Sequence, residues 1–201
     1  MIQIHLKKLT PAPLISIICG ISEPREYLWQ RCAAEMEIAL AGLPVEFRAG
    51  YIKDEPWNES KAKNAAANTT RAPILLFTNC DIVIPREVIE SLLSIDLDLN
   101  WMAIAMRNDE TAEGGWVENE HAIGDCQAVP RAVWAAAEGF DERQTGWGHI
   151  DYTFMQRCER AGAKAVVLQG TRVLHRWHPR LTDDEYRAQN ERNRLVAGGA
   201  A

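Results

Sequence analysis

The chain has 201 residues, of which 47% are hydrophobic, and its formal net charge is −6 at pH 7. The length and the absence of a break in composition predict one domain over residues 1–201, with a core of about 14–180 and a polar C-terminal helix over about 182–196. The acidic balance excludes a general attraction to nucleic acid or anionic membranes, although six arginines between Arg172 and Arg194 make the C-terminal part locally basic.

Alternating strand and helix patterns run along the N-terminal half. The apolar run Leu14 to Cys19 predicts a first strand. Ser22 and Pro24 then start a helix whose apolar residues recur every fourth position as far as Gly42, and residues 45–52 form a second strand.

A central strand over residues 74–77 follows an alanine-rich helix that Asn58 or Ser60 caps. Asp81 lies just beyond the C-terminal end of this strand. Open α/β sheets bind ligands outside the carboxyl ends of their strands, so Asp81 stands where a nucleotide is expected to bind. The alternative is that Asp81 caps the helix that begins at Pro85.

The C-terminal half continues the alternation. A Thr182–Glu185 capping box predicts the start of the last helix. The other predicted elements are a strand over 101–106, a loop over 107–124, a short helix over 130–134, a helix over 150–161, and strands over 165–168 and 172–175.

The cysteines are odd in number, widely spaced and mostly in apolar contexts. This usage predicts buried thiols in a reducing compartment, which favours the cytoplasm. The apolar run over 14–21 is too short to cross a bilayer, and the preceding residues lack the layout of a signal peptide, so we expect no membrane anchor.

The segment from Gly139 to Asp151 contains the most unusual combination of residues. Gly146 and Gly148 flank Trp147, which favours an exposed ring that can stack on a sugar, whereas the alternative is a core aromatic residue. Asp151 opens the helix over 150–161, where the helix dipole is expected to keep it ionised and ready to accept a proton. The alternative for Asp151 is again a helix cap.

Four features follow one another in a family-like order: the opening apolar strand, Lys63 with Asn64, the Asn79–Asp81 segment, and the Gly139–Asp151 block. With them the chain resembles the GT-A-fold nucleotide-sugar glycosyltransferases of the family-2 kind. Its C-terminal half resembles the motif region of β-1,4-galactosyltransferases. The resemblance covers roughly residues 14–179. It implies a single GT-A (Rossmann-like) α/β domain with a central mixed, mostly parallel sheet flanked by helices.

The resemblance also implies a metal site. The last acid of the family's DxD motif, here Asp81, coordinates a divalent cation, and the spacing of His175 and His178 matches a metal-binding element of that family, with His178 the preferred ligand. Carboxylate, imidazole and phosphate ligands suit Mn²⁺, with Mg²⁺ as the alternative. Either histidine could instead satisfy backbone groups.

The remaining implied roles concern the substrates. Asn79 replaces the first acid of the DxD motif, which contacts the ribose, and Ile150 replaces a glutamate that helps to hold the acceptor. Residues expected to bind the nucleotide donor are Asn79, Asp81, Lys63, Asn64 and Asp54. Residues expected to bind sugar or acceptor are Trp147, Gly146, Gly148, Asp125 and Gln127, although Asp125 and Gln127 could simply fix a loop.

Chemistry and resemblance together predict an inverting, metal-dependent hexosyltransferase that uses a nucleotide sugar, with UDP-sugars favoured. A cation stabilises the departing diphosphate, and one carboxylate, Asp151, removes the acceptor proton. A single base without a nearby nucleophile implies direct displacement. The alternative is a nucleotide-sugar-binding protein that has lost catalysis, which Asn79 and Ile150 motivate; a nucleotidyltransferase is more distant. The acceptor class stays open among glycan, lipid-linked sugar, protein and modified nucleic acid.

Overall fold

A computed structural model describes residues 12–53, 56–119, 124–179 and 182–198. The strands are β1 (Ile15–Ile21), β2 (Val45–Tyr51), β3 (Ile74–Thr78), β4 (Ile82–Val83), β5 (Trp101–Glu110), β6 (Trp116–Asn119), β7 (Cys126–Pro130) and β8 (Lys164–His175). The helices are α1 (Glu26–Ala39), α2 (Glu59–Asn68), α3 (Arg86–Leu93), α4 (Arg131–Ala136), α5 (Ile150–Arg160) and α6 (Asp183–Gly198), and a 3-10 turn over Glu23–Arg25 precedes α1.

All eight strands belong to one sheet, in the order β2-β1-β3-β7-β5-β8-β4, with β6 paired to β5. The β1–β2, β1–β3 and β5–β8 pairs are parallel, and the other pairs are antiparallel. It follows that β1, β2, β3, β5 and β8 all point in one direction, against the direction of β4, β6 and β7. The prediction of a mixed, mostly parallel sheet in an α/β fold is confirmed.

The core has one layer on each side of the sheet because strand residues alternate between the two faces. On one face, Ile17 of β1 packs in a cluster with apolar residues of α1 and α3. On the other face, Ile18 and Phe77 join residues of α2, α4 and α5. Helices therefore cover both faces of the sheet.

Helix α2 approaches the sheet unusually closely, and small residues permit this. A Cβ on Gly50 of β2 would lie 2.0 Å from the backbone oxygen of Ala62. Asn58 caps α2 by accepting a hydrogen bond from the Lys61 amide at 2.8 Å, as the sequence predicts. The close contact places Glu59 and Lys63, which are both buried, beneath the carboxyl end of the sheet.

The structure corrects two parts of the predicted element pattern. The segment 107–124 is not a loop throughout, because β5 continues to Glu110 and β6 pairs with it as a hairpin. The two short strands predicted over 165–175 are a single strand, β8, whose pairing with β5 shifts register between Ile104 and Met106. Strand β7 was not predicted. The last helix does begin at the Thr182–Glu185 box, directly after Thr182, whose hydroxyl donates to Glu185 at 2.7 Å.

Two further expectations concern the cysteines and the membrane. All five cysteines are buried and free, as their spacing predicts. Within the ranges described above, none of the helices has the length and apolar character needed to cross a bilayer.

Candidate active site

A cleft of about 430 Å³ opens at the edge of the sheet where β1, β3, β5 and β8 end and β7 begins. This is the edge at which ligands bind to open α/β sheets. The predicted residues that line the cleft are Asn79, Asp81, Asp125, Trp147, Gly148, Asp151, His175 and His178.

Asp81, His175 and His178 form a buried cluster at one side of the cleft. One ligand atom from each lies within 4.8 Å of the others. Asp81 Oδ2 is 2.9 Å from His178 Nε2 and 3.7 Å from His175 Nε2. Sheet pairing produces this arrangement, because Ile82 of β4 lies opposite His175 of β8.

The far nitrogen of each imidazole is already engaged. His175 Nδ1 lies 2.9 Å from Asp109 Oδ1, and His178 Nδ1 lies 2.8 Å from the Pro179 carbonyl oxygen. An acceptor at each Nδ1 favours a proton on that nitrogen, so each Nε2 faces Asp81 either as an N–H donor to the carboxylate or, once a cation is bound, as a lone-pair donor to that cation.

Three electron-pair donors thus converge on one point. Among the described residues, the buried Asp81 Oδ1 has no hydrogen-bond partner. A divalent cation satisfies such a set, and a carboxylate that orients a metal-ligating histidine is a recurrent arrangement. The donor set therefore fits a divalent cation.

The charge state of Asp81 suits the same role. Burial alone would raise the pKa of this carboxyl group, but hydrogen bonds and charge interactions with His175 and His178 hold the pKa well below its usual range. Arg25, whose Nη1 is 3.4 Å from Asp81 Oδ2, adds a further positive group. Asp81 is therefore ionised at neutral pH.

Asp151 lies across the cleft in the first turn of α5. Its Oδ1 is 3.5 Å from the Lys63 Nζ. Gly124 makes room for it, since a Cβ there would lie 2.6 Å from Asp151 Oδ2. The side chain keeps 28% of its surface exposed, so a group in the cleft can reach it.

The expectation that the helix dipole keeps Asp151 ionised is corrected. Burial raises its pKa to about 7; Lys63 opposes the rise, and the negative charges of Glu59 and Asp125 add to it. A raised pKa makes the carboxylate a stronger base, and a general base works best when its pKa lies near the operating pH.

Trp147 sits on the rim of the cleft and is half-buried rather than fully exposed. Its ring packs against Trp57 at 4.6 Å between centroids. The Arg25 guanidinium lies 4.2 Å from the centre of the Trp147 ring. Gly146 and Gly148 both have positive φ, at 71° and 83°, which explains the two glycines.

Helix α6 holds this turn in place. The buried Asn193 Nδ2 shares its two N–H groups among the carbonyl oxygens of Thr145, Trp147 and Gly148 at 2.9–3.2 Å, and its Oδ1 accepts from the Thr145 amide at 3.1 Å. Gln189 Oε1 accepts from the Trp147 amide at 2.8 Å. The polar last helix is thus part of the site architecture, which the sequence did not reveal.

Four predicted site residues do not line the cleft, and a fifth cannot be located. Gly146 instead donates through its amide to the Trp57 carbonyl oxygen at 2.7 Å. Asn64 bonds to both backbone groups of Phe140 and therefore fixes the loop after α4. Gln127 is 1% exposed and donates to the Asp151 carbonyl oxygen at 3.2 Å. Lys63 is buried beneath the cleft. Asp54 lies outside the described residues.

Ile150 explains one departure from the resembling family. The side chain is 2% exposed and belongs to the apolar cluster that contains Phe140 and Phe154. It therefore points into the core rather than toward a bound acceptor.

Several polar residues of the site were not predicted from the sequence. Arg25, Glu59, Arg107, Asp183 and Tyr186 line the cleft beside the predicted set. Asp109 was missed because 107–124 was predicted as a loop, although β5 pairs Asp109 directly with His175. The sequence did contain one signal for this strand: Arg107 and Asp109 are two residues apart and would therefore lie on the same face of a strand.

The architecture is that of GT-A glycosyltransferase catalytic domains. The catalytic domain of Drosophila β1,4-galactosyltransferase 7 in complex with xylobiose matches with a TM-score of 0.60 and 15% identity over 78% of this chain and 65% of that chain. A mutant of that enzyme in complex with manganese, UDP-Gal and xylobiose gives a TM-score of 0.61 and 13% identity over 85% of this chain and 77% of that one.

A bacterial structure matches equally well. S. aureus TarS 1–349 in complex with UDP-GlcNAc gives a TM-score of 0.60 and 10% identity over 83% of this chain and 59% of that chain. The chain spans less than two thirds of TarS 1–349 and of the first galactosyltransferase structure. No family model matches the sequence, and no curated protein matches it. At these identities the likeness concerns the fold.

Proposed function

We propose that the protein is a metal-dependent glycosyltransferase that moves a hexose from a nucleotide sugar, preferably a UDP-sugar, to an acceptor hydroxyl with inversion. The observation that carries the proposal is the buried Asp81–His175–His178 cluster facing Asp151 across one cleft. The ligands named for the matching structures, UDP-Gal with manganese and UDP-GlcNAc, support the choice of donor.

The metal would be held by Asp81, His178 and His175. Two imidazole nitrogens beside one carboxylate favour Mn²⁺ over Mg²⁺, which prefers oxygen ligands. When bound, the cation would offset the negative charge of the leaving diphosphate. Arg25, beside Asp81, is a cationic side chain on the same wall and suits a diphosphate as well.

Asp151 would accept the proton of the acceptor hydroxyl as that hydroxyl attacks the sugar. Glu59 is a second carboxylate at the cleft, but it lies 2.7 Å from Lys63 Nζ and its side chain is only 7% exposed. Asp151 is farther from the same ammonium and more exposed. A base that acts directly on the acceptor hydroxyl, without a covalent intermediate, gives direct displacement and hence inversion.

The test is a titration of UDP, UDP-galactose and UDP-N-acetylglucosamine with Mn²⁺, with Mg²⁺ and without metal, read by calorimetry and thermal shift. We expect binding to require metal and to be tighter with Mn²⁺. The anomeric configuration of the product, read by NMR, then tests inversion. Absence of binding under every condition would contradict the proposal.

The alternative is a nucleotide-sugar-binding protein without catalysis, and the same experiment distinguishes it. Tight metal-dependent binding, with neither transfer to a broad acceptor panel nor slow donor hydrolysis, would favour this alternative. Binding together with transfer would favour the enzyme.

A further inference from the structure

Asn79 occupies the position at which the resembling family has an acid, and its amide contacts two side chains at once. Its Nδ2 donates to Asp125 Oδ1 at 3.0 Å. Its Oδ1 accepts from Lys63 Nζ at 3.1 Å. The amide thus stands between a carboxylate on one side and an ammonium on the other.

The partners themselves determine the orientation of this amide. The Lys63 ammonium can only donate, so the oxygen of Asn79 must face it. The Asp125 carboxylate, when ionised, can only accept, so the amide nitrogen must face it. No other orientation satisfies both neighbours.

From Asp125 the network continues to the metal cluster. Arg107 forms an ion pair with Asp125, and its Nε lies 2.8 Å from Asp109 Oδ1. Asp109 in turn lies 2.9 Å from His175 Nδ1. Each member is held by strand β5, β7 or β8 or by the turns that adjoin them.

From Lys63 the network continues to the other wall. Lys63 is 1% exposed, and besides Asn79 its Nζ lies 2.7 Å from Glu59 Oε1 and 3.5 Å from Asp151 Oδ1. Its three N–H groups therefore have three oxygen partners, one of which is the proposed base.

We propose that Asn79 is a positioning residue that joins the metal-site branch, Asp125–Arg107–Asp109–His175, to the base branch, Lys63–Asp151. This role replaces the ribose contact that the resemblance implies for this position. The inference rests on the proposed function only in naming Asp151 as the base, because the network itself consists of contacts within the chain.

An aspartate at position 79 could not perform this role while Asp125 is its neighbour. A carboxylate at position 79 would face the carboxylate of Asp125, and two like charges in hydrogen-bond contact repel each other. It would also draw Lys63 away from Asp151. Asn79, which replaces an acid of the family's motif, is therefore complementary to both Asp125 and Lys63.

The test compares Asn79→Asp with the exchange variant Asn79→Asp/Asp125→Asn. The exchange keeps the net charge and reverses donor and acceptor, so the carboxylate now at position 79 can accept from Lys63 and from the amide now at position 125. We expect Asn79→Asp to lower the single-turnover transfer rate on the order of 10²-fold, as misplacement of a reacting group does. We expect the exchange to recover at least about tenfold of that loss, as residues in contact do not act additively.

A readout that needs no activity is the titration of the Asp151 carboxyl group, followed by ¹³C NMR without donor or metal. Asn79→Asp should raise this pKa by about one unit, because a like charge is added and Lys63 is drawn away. The exchange should return the pKa toward the wild-type value. If wild-type transfer is absent while these shifts occur, the proposed function fails and the network role stands.

Two results would overturn the inference: an Asn79→Asp variant with unchanged transfer and unchanged Asp151 titration, or an exchange variant no better than Asn79→Asp. Circular dichroism reports whether each variant folds. Should Asn79→Asp fail to fold while the exchange variant folds, the complementarity argument is supported. An exchange variant that also stays unfolded would contradict it.

Discussion

The two walls of the cleft are built in different ways. In the metal-side wall, formed by Asp81, His175 and His178, strand pairing fixes His175 opposite both Ile82 and Asp109, and the Arg176 amide donates to the Asp81 carbonyl oxygen at 2.8 Å. The base-side wall, formed by residues 146–151, is a turn that a separate helix holds through Asn193. A sheet position is enforced by many backbone bonds, whereas the turn depends on a few side-chain bonds.

The difference has a functional consequence. The metal-side wall is suited to holding charge in a constant geometry, and the turn is suited to adjusting around the substrate, because loops on rigid scaffolds are the elements that move. Binding and transfer should therefore separate when each wall is mutated by itself.

The largest effect is expected for Asp81→Ala. This change removes the only carboxylate of the Asp81–His175–His178 cluster, so metal-dependent UDP binding should be abolished. Calorimetry with and without Mn²⁺ measures it. Asp98→Ala is the matched control, because Asp98 is exposed and precedes β5 at the opposite edge of the sheet. Retention of the metal-dependent component in Asp81→Ala would remove Asp81 from the site.

Asp151→Asn should separate transfer from binding. The amide keeps the shape but cannot act as a base, so single-turnover transfer should fall on the order of 10²-fold to 10⁴-fold. Affinity for Mn²⁺ and UDP should remain close to that of the wild type. Transfer at the wild-type rate would exclude Asp151 as the base.

The same variant gives a stability test. Because the folded-state pKa of Asp151 is raised from 3.8 to about 7, the protonated form stabilises the fold, and this contribution is lost as pH rises through 7. Asparagine stays neutral. We expect Asp151→Asn to have a Tm at pH 8 equal to or above that of the wild type, by thermal melting; a marked decrease would show that the carboxylate is structural.

Asp109→Asn tests how strongly the metal-side wall depends on the carboxylate that contacts His175. The carboxylate orients His175, and loss of such a partner typically lowers metal affinity about 10-fold to 100-fold. Mn²⁺ titration measures the change. Asp96→Asn, at an exposed position before β5, is the control. Equal Mn²⁺ affinity in Asp109→Asn and the wild type would mean that strand register alone orients the imidazole.

Most strands of the sheet could be predicted from the sequence, whereas each wall of the cleft could be predicted only in part. Strands β1 and β3 and helix α1 were recognisable because their apolar patterns are local. The end of β5 is polar, and it becomes a strand through pairing with β6 and β8, which are distant in the chain. Asp109 was therefore missed.

The residues of the base-side wall were named from the sequence, but the side chains that surround Asp151 were not. The pKa of Asp151 depends on Lys63 and Glu59, which α2 places beneath it from far along the chain. The support from Asn193 likewise depends on where α6 docks. Neither contact leaves a local pattern, because both are set by tertiary packing.

The pH dependence should be a property of the base-side wall. Asp151 must be ionised to accept a proton, and burial raises its pKa to about 7, so kcat/KM should fall about tenfold per pH unit below 7. Glu59→Gln removes a negative charge that raises this pKa and should move the midpoint to lower pH. An unchanged midpoint in Glu59→Gln would argue that another group controls the profile.

The smallest effect, and the sharpest comparison of the walls, is expected for Asn193→Ala. The change removes the Nδ2 contacts to three carbonyl oxygens of the turn and the Oδ1 bond from the Thr145 amide, and Asn193 is absent from the lining of the cleft. The turn should loosen while Asp81, His175 and His178, none of which Asn193 contacts, keep their geometry. We expect kcat/KM for the acceptor to fall about tenfold, since small displacements of positioned groups are costly, with Mn²⁺-dependent UDP affinity unchanged. Leu195→Ala is a control on the same helix, because Leu195 is exposed, and Trp147→Ala should reproduce the acceptor defect. If UDP affinity fell as much as acceptor use in Asn193→Ala, the two walls would form one coupled unit, and the distinction between a rigid metal side and an adjustable base side would be wrong.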